Sequence, residues 1–288
     1  LHAGSYKSPG YFEFTKSCRG RTRNIKAAHI SERIVQKCLC RYYLNNLLGR
    51  SLIYDNGATI NGKGYIFTLD RLFVHLNKYY KRYHTNEGYI LKIDFSKYFD
   101  NIDHNILLSK ARNYIKDDKI YNLYKHFIEK ASREKGIALG SEISQINSLF
   151  YVNELDHLIK EKLHIKFYGR YVDDCYLICS SKEELKNCLR VIYEVCNKLK
   201  IIINKNKTTI SKLKQFTWLK IQFRLQSNGK ITNKNSYKTR KNLFRKEKYL
   251  RSKYGINSNQ YTNYKGSFEG YIKEYIHVQG KRRNKNTF

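Results

Sequence analysis

The hydrophobic and polar positions of the chain follow two rhythms, one of helical spacing and one of strict alternation. Between residues 29 and 50 the apolar positions, Ile30, Ile34, Leu39 and Tyr42 among them, recur at helical spacing and Gly49 marks a stop. A Gly-rich turn, DNGATINGKG, leads into a second amphipathic helix through Leu69, Leu72, Leu76 and Tyr80. Tyr89, Leu91, Ile93 and Phe95 then alternate as in a strand and leave Asp94 on the other face at its end. Residues 104 to 132 predict two helices, the first capped by Asp103. Beyond Gly136 and Gly140 a long helix is expected, with Ile143, Ile146, Leu149, Phe150, Leu155 and Leu158 in the core. Ile165, Phe167 and Tyr171, followed by Tyr176, Leu177 and Ile178, favour a hairpin. A helix over 181–199 opens on a Ser181–Glu184 capping box, and a strand is expected near Lys205 and Lys207.

The hairpin, YGRYVDDCYLIC from Tyr168 to Cys179, carries two adjacent carboxylates, Asp173 and Asp174, at its tip. Two like charges so close are costly unless a cation neutralises them, and a divalent metal with oxygen ligands does this best. A solvated turn accounts for VDD equally well by itself, because Asp is common in turns. Asp94, in YILKIDFSKYFDNIDH, shifts the balance by offering a third carboxylate from a neighbouring strand. That layout suits two metal ions about 4 Å apart, activating a 3′-hydroxyl and stabilising a leaving pyrophosphate.

Charge changes the picture further. Lys and Arg number 56 against 24 Asp and Glu, a net +32 that exceeds what solubility needs and points to a polyanion. No run approaches the length of a transmembrane helix, and the opening LHAGSYKSPGYF lacks the apolar core of a signal peptide, so nucleic acid is favoured over anionic membrane. The 26 Tyr interleave with Lys and Arg, an arrangement that suits stacking on bases as well as ordinary packing. Seven Cys without a C-x-x-C pair fit neither a zinc site nor a disulfide framework and imply reduced thiols in an intracellular compartment. The absence of Met, even at position 1, implies a processed chain or a fragment. In KSCRGRTRNI an extended backbone would align Arg19, Arg21 and Arg23 beside Lys16, either as a comb for a triphosphate or as a solvated basic hairpin.

With these stretches in place, the chain resembles the bacterial reverse transcriptases, RNA-directed DNA polymerases whose metal-binding turn typically reads YVDD. The likeness runs in register over nearly the whole sequence. It implies an α/β (α+β) right-hand polymerase: α-rich fingers over 1–88, a palm over 89–226 that includes helices 104–135 and a primer-grip hairpin 216–226, and a short basic helical thumb and tail over 227–288. The resemblance assigns two Mg²⁺ ions, replaceable by Mn²⁺, to Asp94, the Phe95 backbone carbonyl, Asp173 and Asp174. It puts Arg23, two residues before Ile25, and Lys16 on the incoming triphosphate. Phe99, five residues beyond Asp94, becomes the steric gate against a ribose 2′-hydroxyl, with a core Phe as the plainer alternative. Gly140, Ser144 and Gln145 fall in the template and nucleotide pocket. Lys207, before Thr208, would protonate the leaving pyrophosphate, with a solvated Lys as its alternative. Trp218, Leu219 and Lys220 in FTWLKIQFRL match the primer grip, although Lys220 stands where the family usually has Gly.

Implied partners are an RNA template, a DNA or RNA primer, dNTPs and an accessory protein, with no membrane, in the cytoplasm of a prokaryote or encoded by a phage. The Ser144-Gln145 form is one found in diversity-generating retroelement and defence-associated enzymes; with Leu139 it implies an elevated, adenine-biased error rate. Three other readings stay open: an RNA-dependent RNA polymerase, an untemplated, protein-primed or retron-like DNA polymerase of the same fold, and a non-catalytic nucleic-acid scaffold. Phe99 and the YVDD context weigh against the first, and retention of all three carboxylates against the last.

Overall fold

A computed structural model describes residues 9, 11–18, 21–132 and 134–266, and among these described residues the strands form three separate sheets. The chain opens on an antiparallel pair, β1 (Tyr11–Cys18) and β2 (Arg21–Ala28). Helix α1 (Ile30–Leu39) continues through a π turn at Cys40–Leu44 into the short α2 (Asn45–Leu47) and a 3-10 turn at Gly49–Ser51. After the Gly-rich turn come α3 (Tyr65–Tyr83) and β3 (Tyr89–Asp94), then a 3-10 turn at Phe99–Asn101. Helices α4 (His104–Arg112), α5 (Asp118–Ala131), α6 (Glu142–Phe150) and α7 (Asn153–His157) follow, the last running into a π turn at Leu158–Lys162. The hairpin β4 (Phe167–Tyr171) and β5 (Asp174–Cys179) precedes α8 (Lys182–Lys198) and β6 (Thr209–Lys212). The chain then forms β7 (Gln215–Trp218), β8 (Ile221–Leu225), β9 (Ile231–Asn235) and α9 (Tyr237–Tyr254). The central sheet has the order β4-β5-β3-β6, and β7-β8-β9 stands as its own sheet.

Packing divides the chain into two compact units, Leu1–Thr68 with Leu91–Ile210 and Leu69–Ile90 with Ser211–Phe288. In the first, the core gathers Leu91 and Ile93 of β3, Tyr168 of β4, Tyr176 and Leu177 of β5, and Leu149, Phe150 and Tyr151 at the end of α6. Predicted caps form as the residue types dictate: Asp103 accepts from the Ile106 amide and Ser181 from the Glu184 amide. Gly169 is needed because the buried Tyr176 ring lies across the strand from it; a Cβ there would sit 2.7 Å from the Tyr176 hydroxyl. In the second unit, Leu69, Leu72 and Leu76 of α3 are buried, and Phe216 of β7 stacks on Phe223 of β8. The Tyr80 hydroxyl donates to the Ser227 carbonyl and Asn86 to that of Leu225, tying α3 and its following loop to the β7-β8-β9 sheet. Helix α9 buries no side chain and carries a single acid, Glu247, among its many cations. No helix among the described residues is long and apolar enough to cross a membrane.

Two expectations are corrected. The helix after Gly140 is not continuous: it breaks between α6 and α7, where the Leu149 carbonyl accepts from the Arg170 guanidinium. Of the apolar positions expected in this first helical stretch, Leu39 of α1 is buried, but Ile30 and Ile34 of α1 and Tyr42 of the π turn face outward, 60%, 58% and 65% exposed. The inward row is Glu32, Gln36, Cys40, Leu44 and Leu48. A four-residue spacing drifts by about 40° per step on an α-helix, and the wider π turn takes up part of that drift. Gln36 is drawn in by polar contacts, accepting from the Ser141 hydroxyl at 2.7 Å. Glu32 finds no hydrogen-bond partner among the described residues, and burial pushes its pKa up, opposed by Lys130 and His29.

The β7–β8 turn generates a stability prediction. Trp218 pairs with Ile221, so Leu219 and Lys220 form a two-residue loop with φ of 45° and 67°. Both residues sit in the left-handed region that such turns require and that Asn-Gly adopts most readily. Replacing Leu219→Asn with Lys220→Gly should stabilise the protein by about 1–2 kcal/mol, read from the midpoint of urea unfolding. An unchanged or lower midpoint would show that side-chain contacts of Leu219 and Lys220 outweigh the backbone strain.

Candidate active site

The site is built where the end of β3 meets the tip of the β4–β5 hairpin. β3 delivers Asp94 as its last residue, half-buried, with the core residue Phe95 next to it. Tyr171 pairs with Asp174 across the hairpin, which leaves Val172 and Asp173 as the two-residue tip and makes Asp174 the first residue of β5. Val172 has φ of 56°, a conformation that a β-branched residue adopts only when its surroundings impose it. Two bonds impose it here. Arg170 Nη1 donates to the Val172 carbonyl at 2.9 Å, and the Phe95 amide donates to the Asp173 carbonyl at 3.3 Å.

The carboxylates feel one another. Burial, then the charges of Asp173 and Asp94, push the Asp174 pKa up to about 7, with Lys207 pulling it the other way. An acid that would be fully ionised at neutral pH is therefore balanced between its two forms. Asp94 already attracts a cation from the chain itself: Lys207 Nζ lies 2.9 and 2.8 Å from its two carboxylate oxygens. Asn204 fixes the same residue twice, through its side-chain amide to Asp94 Oδ2 at 3.1 Å and its backbone amide to the Asp94 carbonyl at 2.8 Å. Among the described residues no group of three His, Cys, Asp or Glu closes on a single point. The donor set is nevertheless hard oxygen in an electrostatically crowded place, which fits a divalent ion such as Mg²⁺ better than a soft one.

The other predicted residues divide by location. Phe99 is half-buried on its 3-10 turn, its ring edge-on to Tyr98 at 5.8 Å and its carbonyl accepting from the Ile137 amide. Gly140 has φ of 104°, and a Cβ on it would lie 3.9 Å from Ile25 of β2. Strand β2 thus passes the turn before α6, and Arg23 lies two residues along that strand, its backbone paired with the exposed Lys16. Arg19 and the side chains of Arg21 and Arg23 lie outside the described residues. Ser144 is buried, whereas Gln145 is exposed. Trp218, Leu219 and Lys220 belong to the second unit, where Trp218 is buried and the Lys220 carbonyl accepts from the Ser236 amide.

Two features were not expected from the sequence: the half-buried Asn204, and an ion pair between Arg170 and Asp156, neither of which has exposed side-chain surface. Asp156, in the polar stretch NELDHL, gave no signal of the pair, whereas Arg170 stands as a lone charge inside the aromatic run YGRY. A charged side chain that must fold into such a run needs a buried partner.

Comparison with curated proteins returns no match. Among solved structures, telomerase from Candida tropicalis, truncated from its C-terminal domain, matches with a TM-score of 0.59 and 15% identity over 78% of this chain and 55% of that one. Telomerase from Candida albicans, in complex with a fragment of telomeric RNA, matches with a TM-score of 0.59 and 12% identity over 89% of this chain and 52% of that one. The chain thus spans about half the length of these telomerase chains and shares their fold. A family model described as reverse transcriptase (RNA-dependent DNA polymerase) matches residues 16–223, more than half of the sequence. On that match, added to the carboxylates gathered at the β3 end and the YVDD turn, the chain belongs to the reverse transcriptase family of nucleotidyltransferases.

Proposed function

We propose that this chain performs RNA-templated DNA synthesis, joining dNTPs to a primer 3′-hydroxyl, with Asp94 and Asp173 as the principal metal ligands and Asp174 behind them. The observation that carries the reading is the meeting of Asp94, at the end of β3, with the Asp173–Asp174 turn, close enough that the charges of Asp173 and Asp94 add to burial in raising the Asp174 pKa. Reverse transcriptases generally use divalent metal ions. Two such ions, Mg²⁺ or Mn²⁺, would supply activation of the hydroxyl and charge stabilisation on the transferring phosphoryl group and leaving pyrophosphate. Asp94, Asp173 and the Phe95 carbonyl would hold them. Lys207 stands beside Asp94, placed to give a proton to the leaving pyrophosphate as the bond to the α-phosphorus breaks. Arg23 and Lys16 on the β1–β2 hairpin are the proposed triphosphate contacts, and the exposed Gln145 the polar member of the pocket motif that solvent and substrate can reach.

On this reading fingers, palm and thumb correspond to 1–88, 89–226 and 227–288; the cationic, exposed face of α9 suits a duplex backbone, and Trp218, Leu219 and Lys220 are the proposed contacts to the primer terminus. An RNA template, a DNA or RNA primer and dNTPs are the proposed partners.

Primer extension on a defined RNA with Mg²⁺ or Mn²⁺ tests the reading. Asp173→Asn and Asp94→Asn should each lower kcat by about 10³ while duplex affinity changes little. Near-normal extension by either variant would remove that carboxylate from the assignment. Phe99→Ala should raise the ratio of ribonucleotide to deoxyribonucleotide incorporation; an unchanged ratio in an active variant would return Phe99 to a packing role. Within the family, the Ser144-Gln145 form supports a diversity-generating retroelement or defence-associated enzyme. Sequencing of the cDNA separates these: errors concentrated opposite template adenine support the former, with Leu139 and Gln145 shaping the pocket, whereas rare or evenly spread errors support the latter.

A further inference from the structure

Arg170 occupies the position before Tyr171 in β4, and neither it nor Asp156 of α7 has any exposed side-chain surface. Its guanidinium spends its donors in three directions. Nε reaches Asp156 Oδ1 at 2.8 Å and Nη2 reaches Oδ2 at 2.6 Å, a bidentate pair. Nη2 also donates to the Leu149 carbonyl at 2.9 Å, at the break that ends α6. Nη1 donates to the Val172 carbonyl at 2.9 Å, and the Tyr168 hydroxyl donates to Asp156 from the far side.

The Val172 carbonyl belongs to the peptide from which Asp173 hangs. The next peptide along, carrying the Asp173 carbonyl, is held by the Phe95 amide. Both peptide planes flanking Asp173 are therefore gripped, one by Arg170 and one by the residue after Asp94. The grip works against strain, because Val172 is kept at φ of 56°.

We propose that the Arg170–Asp156 pair is a positioning device for the proposed metal site, holding the Val172–Asp173 turn in a left-handed conformation that aims the Asp173 carboxylate at the end of β3. Neither residue touches substrate. A lysine at 170 would keep the charge opposite Asp156 but, as a point donor, could not reach Asp156, Leu149 and Val172 together. An apolar pair of similar volume would keep the packing, since buried ion pairs are often replaceable in this way, and would lose the hold on Val172.

The proposal rests on the assignment of Asp173 as a metal ligand, and its test separates the two. Binding of Mn²⁺ to the full chain without nucleic acid is measured by the electron paramagnetic resonance of the free ion, next to thermal unfolding and steady-state primer extension. Arg170→Met with Asp156→Leu should unfold cooperatively, bind Mn²⁺ at least 10-fold more weakly, and lose about 100-fold in kcat with KM for dNTP within about 3-fold. Arg170→Lys should do the same to a smaller degree. Adding Val172→Gly to the apolar pair should recover part of the Mn²⁺ affinity, because Gly adopts the left-handed conformation without strain; loss of packing alone would not be rescued so. Wild-type Mn²⁺ binding in a cooperatively folded Arg170→Lys or apolar-pair variant overturns the proposal. So does the absence of a cooperative transition in both, which would make the pair a requirement of folding rather than of turn geometry. If Asp173→Asn binds Mn²⁺ like the wild type, the ligand assignment itself falls.

Discussion

A guanidinium without exposed surface sets the terms for the first unit of this protein. Moving a charge out of water is expensive, so Arg170 is tolerable only with Asp156 against it and its remaining N–H groups spent on carbonyls. Those needs pull together elements far apart in sequence: the hairpin of the carboxylates, the break between α6 and α7, and, through the backbone of Arg170 itself, the loop at Asp55–Gly57. Arg170 N donates to the Asp55 carbonyl and the Gly57 amide donates to Arg170 O, which places the Gly-rich turn at the edge of the central sheet. Removing one member of such a pair leaves an uncompensated charge and costs about 3–5 kcal/mol. Against a typical total of about 5–15 kcal/mol, that is enough to decide whether the unit folds.

A second constraint is electrostatic contrast. The chain carries a net charge of +32, yet at the end of β3 burial and the charges of Asp173 and Asp94 raise the proton affinity of Asp174. The broad positive field suits the approach of a polyanion. The small negative focus suits a divalent cation, and would repel phosphate without one. On the proposed reading the two features answer different parts of one substrate complex, the nucleic-acid backbone and the reacting triphosphate. Lys207 links them locally, since the same ammonium that neutralises Asp94 is the group placed to meet a developing negative charge.

Much of the secondary structure was legible because it follows from local chemistry. Alternation marked β3, helical spacing and an Asp103 cap marked α4, and the Ser181–Glu184 pair marked the start of α8. The candidate site was legible in part for a related reason: carboxylates in an apolar run are conspicuous, and the YVDD stretch and the Asp94 strand carry a family likeness that the match over residues 16–223 bears out. Other features misled. Ile30, Ile34 and Tyr42 looked like a core face of the first helical stretch, but a helix with apolar groups on two sides does not say which side the rest of the chain will cover.

By itself the sequence determined the order and type of most elements, the family, and the residues whose charge cannot be indifferent to burial, because propensity, capping and period act within a few residues. Only the tertiary structure decided which of those charges meet. That Lys207 rests on Asp94, that Asn204 holds Asp94 from two atoms, and that Arg170 reaches across to Asp156, Leu149 and Val172 depends on contacts between residues distant along the chain. The same holds for the left-handed Val172 and for the broken helix after Gly140: each goes against its local preference, and each is imposed by a hydrogen bond that exists only once the strands and helices have packed.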